Sequence, residues 1–122
     1  MSEKSSPSIE NLTARLIAFR DARDWLQFHS LKNLIVSLNL EAAEVLELTQ
    51  WQSDDDFEAG ALTPPTQTQL TEECADVLIY LLLISERYGF DLCKAAAEKI
   101  AANELKYPVK KARGNAKKYT EL

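Results

Sequence analysis

Residues 34–48 read LIVSLNLEAAEVLEL, and residues 73–83 read ECADVLIYLLL. In both stretches the apolar residues recur at the three- and four-residue spacing of an α-helix. Each apolar stripe is interrupted by two acids spaced i, i+3, so four carboxylates stand where a core face is expected. These acids are Glu41, Glu44, Glu73 and Asp76.

The four acids need a cation if they lie on packed faces. A buried carboxylate tends to take up a proton, and four such groups close together also repel one another. Paired acids on two packed helices aim their oxygens at one point, which suits a hard divalent cation. The pattern therefore predicts a Mg²⁺ site, with Mn²⁺ as a substitute.

Two other interpretations of the acids stay open at this point. Glu-x-x-Glu spacing is common on exposed helix faces, so a solvated rim of the bundle is one alternative. A di-iron centre is the other, but it requires Glu-x-x-His motifs on two helices. The chain has a single histidine, His29, and this disfavours iron.

The rest of the sequence predicts an all-α protein whose protomer is a four-helix bundle. Ser8 and Asp91 are predicted N-caps, and Gly89 is a predicted helix end. Residues 53–65 are expected to form an acidic loop, because they contain a glycine and end in a Pro-Pro pair. The predicted helices span residues 9–23, 33–52, 66–88 and 92–106.

Length and composition predict one globular, helix-rich domain. The chain has 122 residues, of which 46% are apolar and 27% charged, and a domain of this size gains stability from oligomerisation. Its net charge of −5 argues against binding to a nucleic-acid polymer.

The longest apolar run, residues 77–84, is too short for a membrane span, and the polar start lacks a secretory signal, so a cytoplasmic protein is expected. Cys74 and Cys93 are expected to be buried structural thiols.

The basic residues are concentrated near the C-terminus. Residues 106–118 contain six lysines and arginines and no acid, which indicates either an anionic ligand or a solubilising tail. The single domain, residues 1–122, is predicted to comprise a flexible lead at 1–7, a helical core at 8–107 and a basic tail at 108–122.

The acidic motifs and several further segments, in the same order, resemble one enzyme family. From about residue 19 to residue 122 the sequence is similar to the MazG-like all-α nucleoside triphosphate pyrophosphohydrolases, in their dCTP pyrophosphatase branch. The segments that carry the resemblance are Glu41-x-x-Glu44, Glu73-x-x-Asp76, Arg23-Asp24-Trp25, Gln27-Phe28-His29, Lys32-Asn33-Leu34, Gln50-Trp51, Asn103, Lys106-Tyr107-Pro108-Val109, Arg113-Gly114 and Lys118-Tyr119-Thr120.

The resemblance implies an activity, a metal site and an assembly. The implied reaction converts dCTP or a modified dCTP to the monophosphate and pyrophosphate. A preference for dUTP or dATP, or a broad one, is an alternative, as is a non-catalytic helical interaction module. The four acids of the motifs are the implied Mg²⁺ ligands, and Glu41 or Glu44 also orients the attacking water. A dimer or, preferably, a dimer-of-dimers tetramer is implied.

The same resemblance gives candidate residues for the substrate. Aromatic side chains stack on nucleobases, so Trp25 and Trp51 are the candidates for the base, with His29 and Asn33 at its edge. If both tryptophans line one pocket, different subunits must contribute them, because a helix separates them within one chain. Phe28, Phe57 and Tyr80 are assigned to packing. The candidates for the triphosphate are Asn103, Lys106, Tyr107, Arg113, Lys118 and Tyr119.

Overall fold

The computed structural model describes residues 5–61 and 63–122, and none of these residues lies in a β-strand. The predicted all-α class is therefore confirmed. Two short 3₁₀ turns, Leu26–Phe28 and Tyr119–Glu121, accompany the α-helices. The α-helices of the described residues are α1 (Ile9–Ala22), α2 (Leu31–Glu47), α3 (Asp54–Ala61), α4 (Pro64–Tyr88), α5 (Leu92–Lys106) and α6 (Val109–Ala112).

The helix ends follow local capping chemistry. The Ser8 hydroxyl accepts a hydrogen bond from an N–H in the first turn of α1, at 3.1 Å, and the Asp91 carboxylate does the same for α5, at 2.9 Å. Gly89 has φ 93° and donates its N–H to the Ser85 carbonyl at 2.8 Å, which closes α4. Only a glycine adopts this left-handed geometry without strain. These three predictions are confirmed.

Helix α2 lies earlier in the chain than predicted. Its N-cap is Ser30, whose hydroxyl accepts a hydrogen bond from the N–H of Asn33 at 3.1 Å, so the helix begins at Leu31. The helix ends at Glu47, and turns follow up to Trp51. The predicted span of 33–52 is therefore wrong at both ends.

Residues 53–65 are not the loop that the sequence predicts, since α3 lies within them. Three aspartates form the first turn of α3, where negative charge favourably meets the exposed N–H groups. The two prolines form the first turn of α4, where their missing N–H and fixed φ cost nothing. A Pro-Pro pair often breaks a helix, but here it starts one.

The chain divides into two compact units, Met1–Gly89 and Phe90–Leu122. In the first unit α4 is central, and α1, α2 and α3 each pack against it. Leu34 of α2 and Leu82 and Leu83 of α4 are the buried hydrophobic residues of the described chain. This packing sets α2 beside α4, the two helices that carry the acid pairs.

Two further features are the exposure of the cysteines and the length of the helices. Cys74 and Cys93 are free thiols, and both are exposed rather than buried, so the prediction of buried thiols is wrong. In the part of the chain that the structure describes, no helix is long and apolar enough to cross a bilayer.

Candidate active site

The facing surfaces of α2 and α4 bring the four acids together. One carboxylate oxygen from each of Glu41, Glu44, Glu73 and Asp76 lies within 4.8 Å of all the others. Glu44 is exposed, whereas the other three are half-buried. Each helix contributes two acids because residues three apart lie on the same helix face.

The electrostatics of the cluster are unfavourable to four ionised carboxylates. A hydrogen bond with Glu44, burial, and the charges of Glu44, Asp76 and Glu41 raise the pKa of Glu73 to about 7. Burial and the neighbouring charge of Glu44 also raise the pKa of Glu41. Both pKa values rise because burial and the negative charges of the neighbouring acids disfavour ionisation.

Two buried oxygens in the cluster lack a partner. Among the described residues, Oε2 of Glu41 and Oε2 of Glu73 are buried and accept no hydrogen bond. Within the described part of the chain, every ion pair involves Arg20, and none includes an acid of the cluster. Unpaired buried oxygens are costly. The oxygen-only donor set and the two unpaired oxygens fit a hard divalent cation such as Mg²⁺ or Mn²⁺.

An apolar cavity of 570 Å³ lies along α4. It is enclosed by α1, by the connector between α1 and α2, and by α4. Tyr80 lines it and follows Asp76 by four residues, so this side chain lies one helical turn from the cluster. The residues that form most of the wall are Leu12, Leu16, Phe19, Trp25, His29, Leu78, Ile79 and Tyr80.

Two of the four residues predicted to contact the base line this cavity. Trp25 packs edge-on against Phe19 with ring centroids 5.6 Å apart, and His29 lies at the end of the 3₁₀ turn in the connector. Asn33 does not line the cavity. Its amide donates a hydrogen bond to the Phe28 carbonyl at 3.2 Å, and so ties the connector to α2.

Trp51 also lies outside the cavity. Its side chain is 96% exposed, and its backbone has φ 63°, a left-handed conformation that is strained for a bulky residue. A fully exposed tryptophan on a strained turn is typical of a residue that a ligand or another subunit covers.

The six residues predicted to contact the triphosphate all belong to the second unit, and the structure brings three of them together. The rings of Tyr107 and Tyr119 meet edge to face with centroids 6.2 Å apart. The Lys106 ammonium lies 4.9 Å from the centroid of Tyr119. Arg113 and Lys118 are exposed and form no ion pair with any described residue. Asn103 accepts the N–H of Tyr107 through its carbonyl at 2.9 Å.

Sequence reasoning missed two cavity residues. Tyr80 was assigned to packing, although its spacing of four from Asp76 was a usable signal. Arg20 was not considered. It follows the apolar series of α1 at the position four residues after Leu16, and it is a buried charged residue.

Comparison with known proteins finds a matching family model and similar pyrophosphatases. A model of the MazG-like family matches residues 36–122. The dCTP pyrophosphatase 1 proteins of Rattus norvegicus and Homo sapiens are 40% and 38% identical to this chain, each over 95% of the chain and 68% of the relative. The crystal structure of a pyrophosphatase from Archaeoglobus fulgidus is similar with a TM-score of 0.77 and 39% identity, over 88% of this chain and 99% of that one.

Proposed function

Because the chain belongs to the MazG-like family, we propose that it hydrolyses dCTP or a modified dCTP to the monophosphate and pyrophosphate with Mg²⁺. The general activity, that of a nucleoside triphosphate pyrophosphohydrolase, follows from its relatives. The identity of the base and the identity of the metal are what we propose. The observation that carries the proposal is the cluster of four carboxylates with two buried, unpaired oxygens.

Cleavage between the α- and β-phosphates requires charge neutralisation, an aligned water and a stabilised leaving group. Mg²⁺ held by Glu41, Glu44, Glu73 and Asp76 would supply the positive charge for the phosphate oxygens and the leaving pyrophosphate. One of the two α2 carboxylates, Glu41 or Glu44, accepts a hydrogen bond from the attacking water and orients it toward the α-phosphate.

The apolar cavity is the proposed site for the base. Tyr80 in its wall lies one helical turn from Asp76, so α4 carries both the cavity wall and part of the acid cluster. Trp25 offers a ring for stacking, and His29 offers a polar group at the wall. A largely apolar pocket with a few polar groups is typical of sites for small-molecule ligands.

Residues of the second unit are proposed to bind the triphosphate. The chain as a whole is acidic, but its second unit presents Lys106, Arg113 and Lys118, and the hydroxyls of Tyr107 and Tyr119, as donors for phosphate oxygens. Asn103 is proposed as a neutral donor on the same unit.

The outer face of α2 supports assembly with a second copy of the chain. This helix packs one face against α4, yet Leu40 and Leu46 on other sides are 62% and 68% exposed, and Ile35 and Val36 are exposed as well. A helix that is apolar all round is normally buried. In a dimer formed on this face, and in a tetramer built from such dimers, a neighbouring subunit would cover Trp51.

The test is a pyrophosphate-release assay on all eight canonical ribo- and deoxyribonucleoside triphosphates with Mg²⁺. The expected result is strongest turnover of dCTP, with dCMP and pyrophosphate as the first products. Hydrolysis in ¹⁸O-labelled water should place the label in dCMP, because water attacks the α-phosphate. Orthophosphate as the first product would contradict the reaction. Absence of turnover with every substrate would instead favour a helical interaction module.

A further inference from the structure

Arg20 is a charged side chain held inside the first unit. It is 6% exposed, and two carboxylates fix its guanidinium. Nε donates to Oδ1 of Asp21 at 2.9 Å, and Nη1 donates to Oε2 of Glu86 at 3.1 Å. The bond to Glu86 joins α1 to α4 across 66 residues of sequence. Burying a guanidinium is costly, so its position calls for an explanation.

Arg20 and His29 together form the wall between two cavities. One is the apolar cavity proposed for the base, and the other is a more polar cavity of 510 Å³ that Glu86 and Arg87 also line. Arg20 and His29 are the residues common to both linings. The polar groups of this wall are therefore available to a ring that occupies the apolar cavity.

The charge around Arg20 favours a neutral ligand group over a phosphate. Two carboxylates already accompany the Arg20 guanidinium, so this group offers a phosphate no net positive charge, and Arg15 is the other cation that lines the apolar cavity. Arg20 nevertheless has N–H groups that neither carboxylate uses. A guanidinium carries five N–H groups, and two of them are used by Asp21 and Glu86, so those left on Nη1 and Nη2 remain for neutral acceptors such as a ring carbonyl or ring nitrogen.

His29 contributes the complementary group. Its Nδ1 is buried and has no hydrogen-bond partner among the described residues. When a neutral imidazole carries its proton on Nε2, Nδ1 is an acceptor. A ligand that places an N–H group there would satisfy this atom.

We propose that Arg20 and His29 read the edge of the base and select cytosine over uracil and thymine. This inference rests on the proposed function. On cytosine, O2 and N3 are adjacent acceptors that match the guanidinium donors, and the exocyclic amino group is a donor that matches Nδ1 of His29. On uracil and thymine, N3 carries a hydrogen and O4 replaces the amino group, so two of the three contacts oppose donor to donor and acceptor to acceptor.

The test compares kcat/KM for dCTP and dUTP, which differ only at this edge. Wild type should prefer dCTP, and Arg20→Lys should lower the dCTP/dUTP ratio by about 5- to 150-fold, the range for losing a two-bond base contact. Lysine keeps the charge beside Asp21 and Glu86 but lacks the planar guanidinium group. The matched control is Arg87→Lys, because Arg87 is exposed and lines only the polar cavity. Its ratio should equal that of wild type.

A second variant distinguishes loss of the base contact from loss of folding. Arg20→Met combined with Glu86→Gln removes both charges of the pair and leaves no unpaired buried charge. It should lower the ratio as well, and calorimetric titration with dCMP and dUMP should show the same loss of preference in binding without turnover. A wild-type ratio near one, or an unchanged ratio in folded Arg20 variants, would overturn this inference while leaving the pyrophosphohydrolase activity intact. The proposed function fails separately, if no triphosphate is turned over.

Discussion

Binding of Mg²⁺ to the acid cluster is predicted to release a proton. In the metal-free protein the pKa of Glu73 lies at about 7, because Glu44 shares a hydrogen bond with it and the surroundings desolvate it. A carboxylate must be ionised to ligate a cation. Near neutral pH the cation therefore has to displace the Glu73 proton.

The expected size of this release follows from the pKa. With a pKa of about 7, Glu73 is roughly 90% protonated at pH 6, half protonated at pH 7 and about 10% protonated at pH 8. Mg²⁺ binding should release about those fractions of a proton, and the apparent Kd should be about tenfold weaker at pH 6 than at pH 8. The raised pKa of Glu41 adds to the effect in the same direction.

The assay is calorimetric titration with Mg²⁺ in buffers of different ionisation enthalpy, at pH 6, 7 and 8. The slope of observed heat against buffer enthalpy counts the protons released. Glu72→Gln is the matched control, because Glu72 is exposed and lies outside the cluster, and it should behave as wild type. Tight binding with a slope of zero at pH 6 would refute the reasoning.

The same shift has a consequence for the metal-free fold. Because the folded-state pKa of Glu73 is raised from 4.5 to about 7, its contribution to stability is fully present below pH 4.5 and is lost as the pH rises through 7. Metal-free protein should therefore lose stability across this window. Mg²⁺ should reverse the loss at pH 7 and above, where it meets the ionised cluster.

Three further predictions test the rest of the proposed site. Trp25→Ala should lower kcat/KM for dCTP by about 1–3 kcal/mol, the range for a stacking contact; an equal loss with every triphosphate and a broken oligomer would make Trp25 an interface residue. Deleting residues 113–122 should raise KM several-fold with unchanged helix content by circular dichroism, and an unaltered KM and turnover would return the tail to a solubilising role. Leu40→Glu should reduce the mass measured by light scattering toward that of the monomer, and wild-type mass would exclude this face of α2 from the interface.

The acid cluster was accessible from sequence because its signal is local. Each pair of acids is three residues apart, so a helix is enough to place both on one face. The only long-range step was the packing of α2 on α4, and the apolar stripe on each helix favours that contact. The caps at Ser8 and Asp91 and the end at Gly89 were equally local, since each depends on residues within one turn.

The differences between expectation and structure have three separate physical causes. Proline ends helices but also fits their first turn, and the Pro64-Pro65 pair takes the second role. Helix α3 was missed because its eight residues carry few apolar side chains, and tertiary contact with α4 outweighs that weak pattern. The apolar cavity could not be read from spacing, because its wall combines side chains of α1, of the connector and of α4 that meet only in the folded unit.

The central claim, that the four acids form the metal site of the enzyme, is tested most directly by Glu44→Gln and Asp76→Asn. Both changes keep the shape of the side chain and delete its charge. Melting curves with and without millimolar Mg²⁺ should show metal-free stability unchanged or raised, because repulsion falls, while stabilisation by Mg²⁺ shrinks or vanishes. Turnover of dCTP should fall by orders of magnitude in both variants. Full activity together with the wild-type Mg²⁺ shift in both variants would contradict the assignment of the site.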